Sequence, residues 1–151
     1  MNSLSLKQPW ASWVADGQKT IETRKYKTNC RGELLICSSL KPVFPGLPCG
    51  QALAVVNLVD CRPMTKADEK MSMCEIYPDA WSWMLTNIRK IRPFEVKGHL
   101  GFYGVDYRIN IGDVLQTIWA CRKCGCTDKQ ACEGGCHWVE SDLCSRCWAE
   151  D

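Results

Sequence analysis

Apolar and polar residues alternate near the start of the printed sequence, and the alternation then changes to a helical spacing. Leu4 and Leu6 alternate with serines, which predicts a short strand. Trp10, Trp13 and Val14 follow at the i, i+3, i+4 spacing of one helix face. This part of the chain is therefore expected to form a strand followed by a short helix.

Alternation returns further along the chain and predicts several more short strands. The runs that show it lie at residues 20–24, 33–37, 51–59, 81–85 and 94–96. One further helix is indicated from Thr65, where Asp68 three residues later can accept a hydrogen bond from the helix start. Many short strands with two helices are typical of an α+β fold, which we expect to be a small barrel-like body.

The cysteines divide the chain into two parts. A chain of 151 residues buries enough surface to fold without covalent staples, yet this one holds 12 cysteines. Five are scattered through the first part, at Cys30, Cys37, Cys49, Cys61 and Cys74. Seven crowd into the last part, at Cys121, Cys124, Cys126, Cys132, Cys136, Cys144 and Cys147. We therefore expect a domain over residues 1–110, a connector over 111–120 and a cysteine-rich module over 121–151.

Net charge divides the chain at the same place. The total is +2, which by itself indicates no class of partner. Residues 1–120 hold 15 basic and 11 acidic residues, a net charge of +4, whereas residues 121–151 hold 4 and 6, a net charge of −2. Of the two parts, the basic one is suited to bind the phosphates of a nucleic acid.

No stretch of the sequence has the character expected of a membrane span or a secretion signal. The longest uninterrupted apolar run covers residues 52–56, far short of the roughly 20 residues that cross a bilayer. We therefore expect a cytoplasmic protein with no membrane partner. In such a reducing compartment, clustered cysteines are more often metal ligands than disulfides.

The cysteine-rich module has the spacing of a zinc site. Cys121, Cys124, Cys144 and Cys147 form the pattern C-x2-C-x19-C-x2-C, which lets four thiolates surround one tetrahedral ion. Four thiolates leave no open coordination position, so the predicted Zn²⁺ is structural.

Three further cysteines and a histidine leave the number of ions in the module open. Cys126, Cys132, Cys136 and His137 could complete a second tetrahedron, or the three thiols could stay free. An iron–sulfur cluster is a third alternative. One zinc on the outer pairs is the first hypothesis, with a stabilising or partner-binding role for the module.

The first part of the chain carries a specific motif. Residues 4–12 read LSLKQPWAS and residues 17–24 read GQKTIETR. The second segment has the pattern G-x-K-x-x-E-x-R at Gly17, Lys19, Glu22 and Arg24. Together with later blocks in the expected order, these segments resemble the ASCH domain (activating signal cointegrator homology) over about residues 3–108. The resemblance implies a PUA-like fold, which is a small β-barrel with flanking helices, and a function linked to RNA.

The same motif supplies the groups of a ligand site. Lys19 and Arg24 offer cations to a phosphate or an oxygen-rich base edge, while Glu22 can hold Arg24 or accept a hydrogen bond from an amino group. The alternative is an ordinary pair of opposite charges on one strand face, which contributes ~0.2–1 kcal/mol. With the family resemblance we favour a site for RNA or a nucleotide. Its candidate residues are Lys7, Gln8, Trp10, Gly17, Lys19, Glu22, Arg24, Lys25, His99 and Tyr103.

A hydrolase at the same pocket is the competing hypothesis, with Lys19 and Glu22 as its candidate catalytic residues. Some ASCH proteins that resemble this one are amidohydrolases that act on N4-acylated cytidines, with a Lys and a Thr in a G-x-K-T-x-T variant of the signature; others are associated with ribonuclease activity. Here Glu22 stands at the position of the second Thr of that variant. Thr23 lies on the predicted strand and is expected to point away from the pocket. A protein-interaction adaptor that binds its partner through the cysteine-rich module is a third hypothesis.

Overall fold

The computed structural model describes residues 1–150, which form one large sheet and one small sheet. The strands are β1 (Asn2–Leu6), β2 (Ile21–Arg24), β3 (Gly32–Ser38), β4 (Gln51–Pro63), β5 (Trp81–Glu95), β6 (Phe102–Gly104), β7 (Val114–Ile118), β8 (Trp138–Glu140) and β9 (Leu143–Cys144). The helices are α1 (Trp10–Ala15), α2 (Glu69–Ser72) and α3 (Ser145–Ala149), with 3-10 turns at Lys66–Asp68 and Ile111–Asp113. The predicted α+β class is confirmed. No helix within residues 1–150 combines the length and the apolar composition that crossing a membrane requires.

Seven strands form one mixed sheet in the order β2-β5-β4-β3-β1-β6, and β7 also pairs with β5. Strand β1 runs parallel to β3, whereas the other pairs of this sheet are antiparallel. The two longest strands, β4 and β5, pair with three shifts of register. Such shifts increase the local twist of the strands, which bends the sheet into a half-barrel.

Strand β3 lies inside the sheet and is buried on both faces. Leu34 and Ile36 belong to the apolar cluster on one face, whereas Leu35 and Cys37 belong to the cluster on the other face. A continuous apolar run is typical of a strand that is covered on both sides. Helix α1 covers the larger cluster and buries Val14 against it.

The strands predicted at the two ends of residues 81–96 are one continuous strand, β5. Its middle is rich in Arg and Lys, which obscures the alternation in the sequence. Arg89 and Lys90 form ion pairs towards solvent, while Ile88 and Ile91 are fully buried. The shifts of register in β5 change which residues face the core, so a strict period of two is lost.

The helix predicted from Thr65 is shorter than its pattern indicates. The Thr65 backbone N–H donates to Asp68 Oδ2 at 2.9 Å, as the capping pattern predicts. Helix α2 nevertheless ends at Ser72, because Met73 adopts a left-handed conformation with φ of 58°. This early end makes the carbonyl of Ser72 accessible to a side chain from outside the helix.

The cysteine-rich module continues directly from β7, which lies in the segment predicted as a connector. Because β7 pairs with β5, this segment adds a strand to the large sheet. Just beyond it, Thr86 Oγ1 on β5 donates to the Ala120 carbonyl at 2.6 Å. The module itself consists of loops, the small β8–β9 sheet and α3.

Candidate ligand cleft and metal centre

Strand β2 carries the charged residues of the motif at the end of the large sheet, where it pairs with β5. Lys19 lies just before β2 and is only 1% exposed, while Glu22 is 8% exposed. Arg24 is partly buried. Buried charges are costly unless they have partners, so the surroundings of Lys19 and Glu22 must supply them.

Backbone carbonyls and Glu22 surround the Lys19 ammonium group. Its Nζ donates to the carbonyl oxygens of Ile21 and Ser72, both at 2.7 Å. Glu22 Oε1 lies 3.8 Å from Nζ and accepts the Thr23 backbone N–H at 2.8 Å. Burial lowers the pKa of Lys19 below its ordinary value, although the charge of Glu22 opposes this effect. The ammonium has three N–H groups, so one remains for Glu22 or for a ligand.

Arg24 is positioned by an aromatic ring, and the predicted pairing of Glu22 with Arg24 does not form. The guanidinium carbon of Arg24 lies 5.9 Å from the ring centroid of Trp83, within the range of a cation–π contact. Trp83 is in turn stacked on Phe102, with 5.5 Å between the ring centroids. Glu22 faces Lys19 instead, because the buried ammonium needs a counter-charge more than the partly exposed guanidinium does.

A cleft of about 380 Å³, here named the β2 cleft, lies over these side chains. Its volume falls within the range of roughly 300–1,000 Å³ that small-molecule sites occupy. Five of the predicted ligand-binding residues line it, namely Lys7, Trp10, Lys19, Glu22 and Arg24. Trp10 falls on the apolar stripe predicted for α1, yet it is 39% exposed and lines the cleft.

A larger cleft of about 880 Å³, here named the His99 cleft, adjoins the β2 cleft and shares Lys7 with it. Lys41, Lys97 and His99 also line it, and Glu95 contributes an acidic side chain. The charged residues of its lining are therefore mainly basic. A ligand that extends from one cleft to the other would pass along lysine side chains.

Four other predicted residues lie outside the linings of both clefts. Gln8 is buried, and its Oε1 accepts a backbone N–H of α1 at 3.0 Å. Gly17 has φ of +75° and packs under Ile118, where a Cβ would lie 2.6 Å from a methyl group. Lys25 is exposed. The Tyr103 hydroxyl hydrogen-bonds a serine of β1 at 2.6 Å, and burial raises its pKa to about 12, so it remains protonated at neutral pH.

Seven residues that line the β2 cleft were not predicted from the sequence, namely Ser5, Leu6, Thr23, Ser39, Cys74, Tyr77 and Leu100. Thr23 was expected to point away, yet it lines the cleft, and its Oγ1 lies 3.5 Å from Cys74 Sγ. Strand β2 is the last strand at this end of the sheet, and the chain after α2 contacts it through Cys74. Residues of both faces of β2 therefore border the same space. No local signal in the sequence links Cys74 or Tyr77 to the motif.

The cysteine-rich module docks behind the β2 cleft through Gly125. Thr20 Oγ1 donates to the Gly125 carbonyl at 2.6 Å in a buried contact. Gly125 has φ of +78°, and a Cβ there would lie 2.5 Å from Thr20 Oγ1. Glycine fits both the left-handed backbone and the narrow gap. Because Thr20 follows Lys19, the module supports the segment that carries the cleft cations.

Arg62 on β4 makes a second contact between the sheet and the module. Its guanidinium donates to both carboxylate oxygens of Asp68, at 2.7 and 2.8 Å, and to the Lys123 carbonyl at 3.0 Å. The Thr65 backbone and Ser82 Oγ also donate to Asp68. Burial alone would raise the pKa of Asp68, but these hydrogen bonds, led by that of Arg62, hold it below its ordinary value.

Six cysteines of the module form two groups in which the four sulfurs lie within 4.8 Å of one another. The first group is Cys121, Cys124, Cys126 and Cys144, and the second is Cys126, Cys132, Cys136 and Cys144. All of them are free thiols rather than disulfides. Four sulfur donors at this spacing suit a tetrahedral, thiophilic ion. The cluster could therefore hold a metal ion.

Two of the predicted ligands, Cys147 and His137, lie outside both groups. Cys147 is buried beside the cluster, and His137 is exposed. A backbone amide adds to the fit, since the N–H of Cys132 donates to the sulfur of Cys136 at 3.4 Å. Hydrogen bonds from such donors orient ligands and stabilise thiolates around a metal.

Comparisons with known proteins agree with the motif on β2. The family model described as "ASCH domain" matches residues 4–95. The chain is similar to the crystal structure of ASCH from Zymomonas mobilis, with 15% identity, a TM-score of 0.49, and coverage of 63% of this chain and 73% of that one. A point mutant of that protein matches with 15% identity, a TM-score of 0.47, and coverage of 63% and 75%. No curated protein matches the chain. Because the family model matches more than half of its residues, the chain belongs to the ASCH domain family.

Proposed function

We propose that the protein binds single-stranded RNA or a nucleotide, with a base in the β2 cleft and phosphates along the His99 cleft. The observation that supports this most is the convergence of Lys19, Glu22 and Arg24 with Trp10 in one cleft. The adjoining cleft is lined by lysines, which suits a phosphate backbone. The ASCH domain is a PUA-like, RNA-related kind of fold, which is consistent with this proposal.

Each group of the β2 cleft suits one part of a nucleotide. Glu22 can accept a hydrogen bond from an exocyclic amino group, while Lys19 can donate to a carbonyl oxygen of the base. The Trp10 ring offers a stacking surface, which contributes ~1–3 kcal/mol per base in single-strand binding proteins. Arg24 can donate two parallel hydrogen bonds to an oxygen-rich edge of the base.

Arg24 and Lys25 provide a matched pair of variants that tests this proposal. Both substitutions, Arg24→Ala and Lys25→Ala, remove one positive charge, but Arg24 lines the cleft and Lys25 does not. A charged hydrogen bond contributes ~1.5–3 kcal/mol, so Arg24→Ala should weaken binding about 10-fold or more. Lys25→Ala should weaken it by less than about 3-fold, as expected from the loss of a general electrostatic contribution.

The binding assay is fluorescence anisotropy with a labelled single-stranded RNA, repeated at increasing salt and with mononucleotides as competitors. Each phosphate that the protein contacts should steepen the slope of the logarithm of the binding constant against the logarithm of the salt concentration by ~0.7. Equal losses in the two variants would contradict the cleft as the binding site. Absence of binding by the unmodified protein at low salt would contradict the function itself.

We further propose that the cysteine-rich module holds Zn²⁺ as a structural ion, through sulfurs of the two groups described above. Thiolate ligands favour Zn²⁺ among the abundant divalent ions, and a full set of four leaves no position for a substrate. The bound ion would fix the turn at Gly125, which contacts Thr20 beside the cleft. Elemental analysis of the purified full chain tests for zinc.

Hydrolysis of N4-acylated cytidine or of RNA in the β2 cleft is the second candidate function. One observation favours it: Lys19 has a lowered pKa, and the Thr23 hydroxyl lines the same cleft. A Lys with a lowered pKa can accept a proton from a hydroxyl or a water. Lys19→Met keeps the side-chain volume but removes the ammonium, so it should abolish release of cytidine from N4-acetylcytidine, measured by chromatography. Turnover that persists in Lys19→Met, or none in the unmodified protein, would exclude hydrolysis of N4-acylated cytidine in this cleft.

A further inference from the structure

The cysteine-rich module contacts the backbone on both sides of Lys19. On one side, Gln130 Nε2 donates to the Gln18 carbonyl at 3.3 Å. On the other side, Thr20 Oγ1 donates to the Gly125 carbonyl at 2.6 Å in a buried contact. The residue whose ammonium group reaches the β2 cleft is therefore held between two contacts with a different part of the chain.

Gly125 also packs against the two segments that supply the acceptors of Lys19. The ammonium group donates to the carbonyls of Ile21 on β2 and Ser72 on α2. A Cβ on Gly125 would lie 3.2 Å from the Ile21 side chain and 3.3 Å from that of Met71, which precedes Ser72. The turn at Gly125 therefore touches both segments, and its position affects the distance between the two carbonyls.

The cysteines of the module lie close to both contact residues in the sequence. Gly125 stands between Cys124 and Cys126, and Gln130 stands two residues before Cys132. These three cysteines belong to the groups that could hold a metal ion. An ion bound by such sulfurs would fix both contacting loops, because the ligands come together only when the module is folded.

We propose that the module positions Lys19 for ligand binding, with Thr20 and Gln130 as positioning residues that act through the backbone on either side of it. The affinity of the β2 cleft for RNA or a nucleotide then depends on the metal content of the module. By linkage, a bound ligand raises the affinity of the module for its metal by the same factor. This inference rests on the proposed function and adds to it a regulation of the same cleft.

Thr20 and Thr86 provide a matched pair of variants. Both are buried, and each donates from Oγ1 to a backbone carbonyl at 2.6 Å, Thr20 to Gly125 and Thr86 to Ala120. Substitution by Val removes the same kind of hydrogen bond in both, but only Thr20 adjoins Lys19. Couplings between sites typically amount to 5-fold or more, so Thr20→Val should weaken RNA binding by about that factor and Thr86→Val by less than about 2-fold. Thr20→Ser keeps the hydroxyl and should restore binding.

The pKa of Lys19 provides a readout that needs no ligand. Burial lowers this pKa, and the titratable groups that act on the ammonium are Glu22, Cys74 and Arg24. NMR of carbon-13-labelled lysine side chains measures it, and the Lys19 signal is assigned by its absence from Lys19→Met. Loss of the Thr20 contact admits water, so the pKa should rise towards its ordinary value in Thr20→Val but not in Thr86→Val. An unchanged pKa in Thr20→Val would overturn the positioning role.

RNA binding by the full chain with and without zinc completes the test. Zinc is measured by inductively coupled plasma mass spectrometry, and the variants are compared at equal zinc content. Chelation should weaken binding of the labelled single-stranded RNA about 5-fold or more, and added Zn²⁺ should restore it. Equal affinity with and without zinc, a chain that takes up no zinc under reducing conditions, or equal affinities of Thr20→Val and Thr86→Val would overturn the coupling but leave RNA binding in place. Absence of binding by the zinc-loaded unmodified protein would contradict the proposed function itself.

Discussion

The large sheet and the cysteine-rich module differ in what they bury. The sheet of residues 1–120 encloses aliphatic and aromatic side chains, in separate clusters on its two faces. In the module of residues 121–150, the buried cluster consists of four cysteines and a single aliphatic residue, Leu143. One part of the molecule has an apolar core, whereas the interior of the other part is a cluster of thiols that could hold a metal ion.

This difference shows where each part obtains its stability. A segment of fewer than about 40 residues rarely folds by apolar burial alone and usually needs disulfides, a metal or a partner. The cysteines of the module are free thiols, so disulfides do not stabilise it. Metal binding can supply this free energy directly, because the ligands come together only in the folded segment. The two parts are therefore expected to unfold under different treatments.

Removal of the proposed zinc is expected to have the largest effect. Structural zinc contributes an apparent binding free energy of ~10–16 kcal/mol in zinc-finger peptides at pH 7, far more than a short segment gains from packing. A strong chelator should unfold residues 121–150 and leave the large sheet folded. Limited proteolysis with mass spectrometry should then show early cleavage in the module and a resistant fragment that contains residues 1–120.

Two outcomes of the chelation experiment would contradict this comparison. Loss of the sheet signal in circular dichroism on chelation would show that sheet and module fold as one unit. An unchanged pattern of proteolysis would show that the module is folded without metal.

Gly125→Ala should have the next largest effect, because it disturbs the contact between the two parts. The substitution places a Cβ 2.5 Å from Thr20 Oγ1 at a position with φ of +78°. The left-handed conformation costs ~1–2 kcal/mol for a residue other than glycine. Overpacking at a well-packed contact adds ~1–3 kcal/mol. Denaturant unfolding followed by tryptophan fluorescence measures the loss.

Gly135→Ala is the matched control for the variant at Gly125. Gly135 also has a left-handed backbone, with φ of +88°, but a Cβ there would meet no atom within 4 Å. Its substitution should therefore cost the backbone contribution alone. If the two variants lose equal stability, the close approach to Thr20 has no energetic consequence.

Asp68→Asn should have the smallest effect, and that effect should depend on pH. Removing one partner of a fully buried ion pair costs ~3–5 kcal/mol, but the Arg62 side chain is 29% exposed, so we expect roughly 1–3 kcal/mol at neutral pH. The pKa of Asp68 is held below that of the unfolded chain, which is about 3.9. The Asp68 carboxylate therefore contributes its full stabilisation at pH values above about 3.9, and this stabilisation is lost as the pH falls through the lower pKa of the folded state.

This pH dependence is tested by denaturant unfolding of the Asp68→Asn variant and of the unmodified protein, from pH 7 down to acidic pH. The stability difference should shrink as the pH falls. Asp60→Asn is the control, since the Asp60 side chain is 54% exposed and lies 4.0 Å from its Arg partner. A difference that stays constant with pH for Asp68→Asn would show that its carboxylate does not titrate below the unfolded value.

Residues that lie close together in the sequence account for the part of the cleft that could be predicted. Lys19, Glu22 and Arg24 belong to one short segment, which consists of strand β2 and the residues just before it, and which lines one cleft. Cys74 and Tyr77 come from the chain after α2, 50 or more residues away. Their position depends on where α2 ends and how the chain crosses β2, which no local pattern indicates.

The sequence by itself determined that the chain has a basic part with an ASCH motif and an acidic part with metal-binding spacing. Both conclusions rest on local order: alternation defines strands, and two residues between cysteines bring their sulfurs together. The tertiary structure decided which sulfurs meet across the long spacer. The Gly125 backbone N–H donates to the carbonyl oxygen of Cys121 at 2.8 Å, and the turn that this hydrogen bond closes places Cys126 in the cluster. It also decided that the module packs against Thr20, because contacts between distant segments depend on how the whole chain folds.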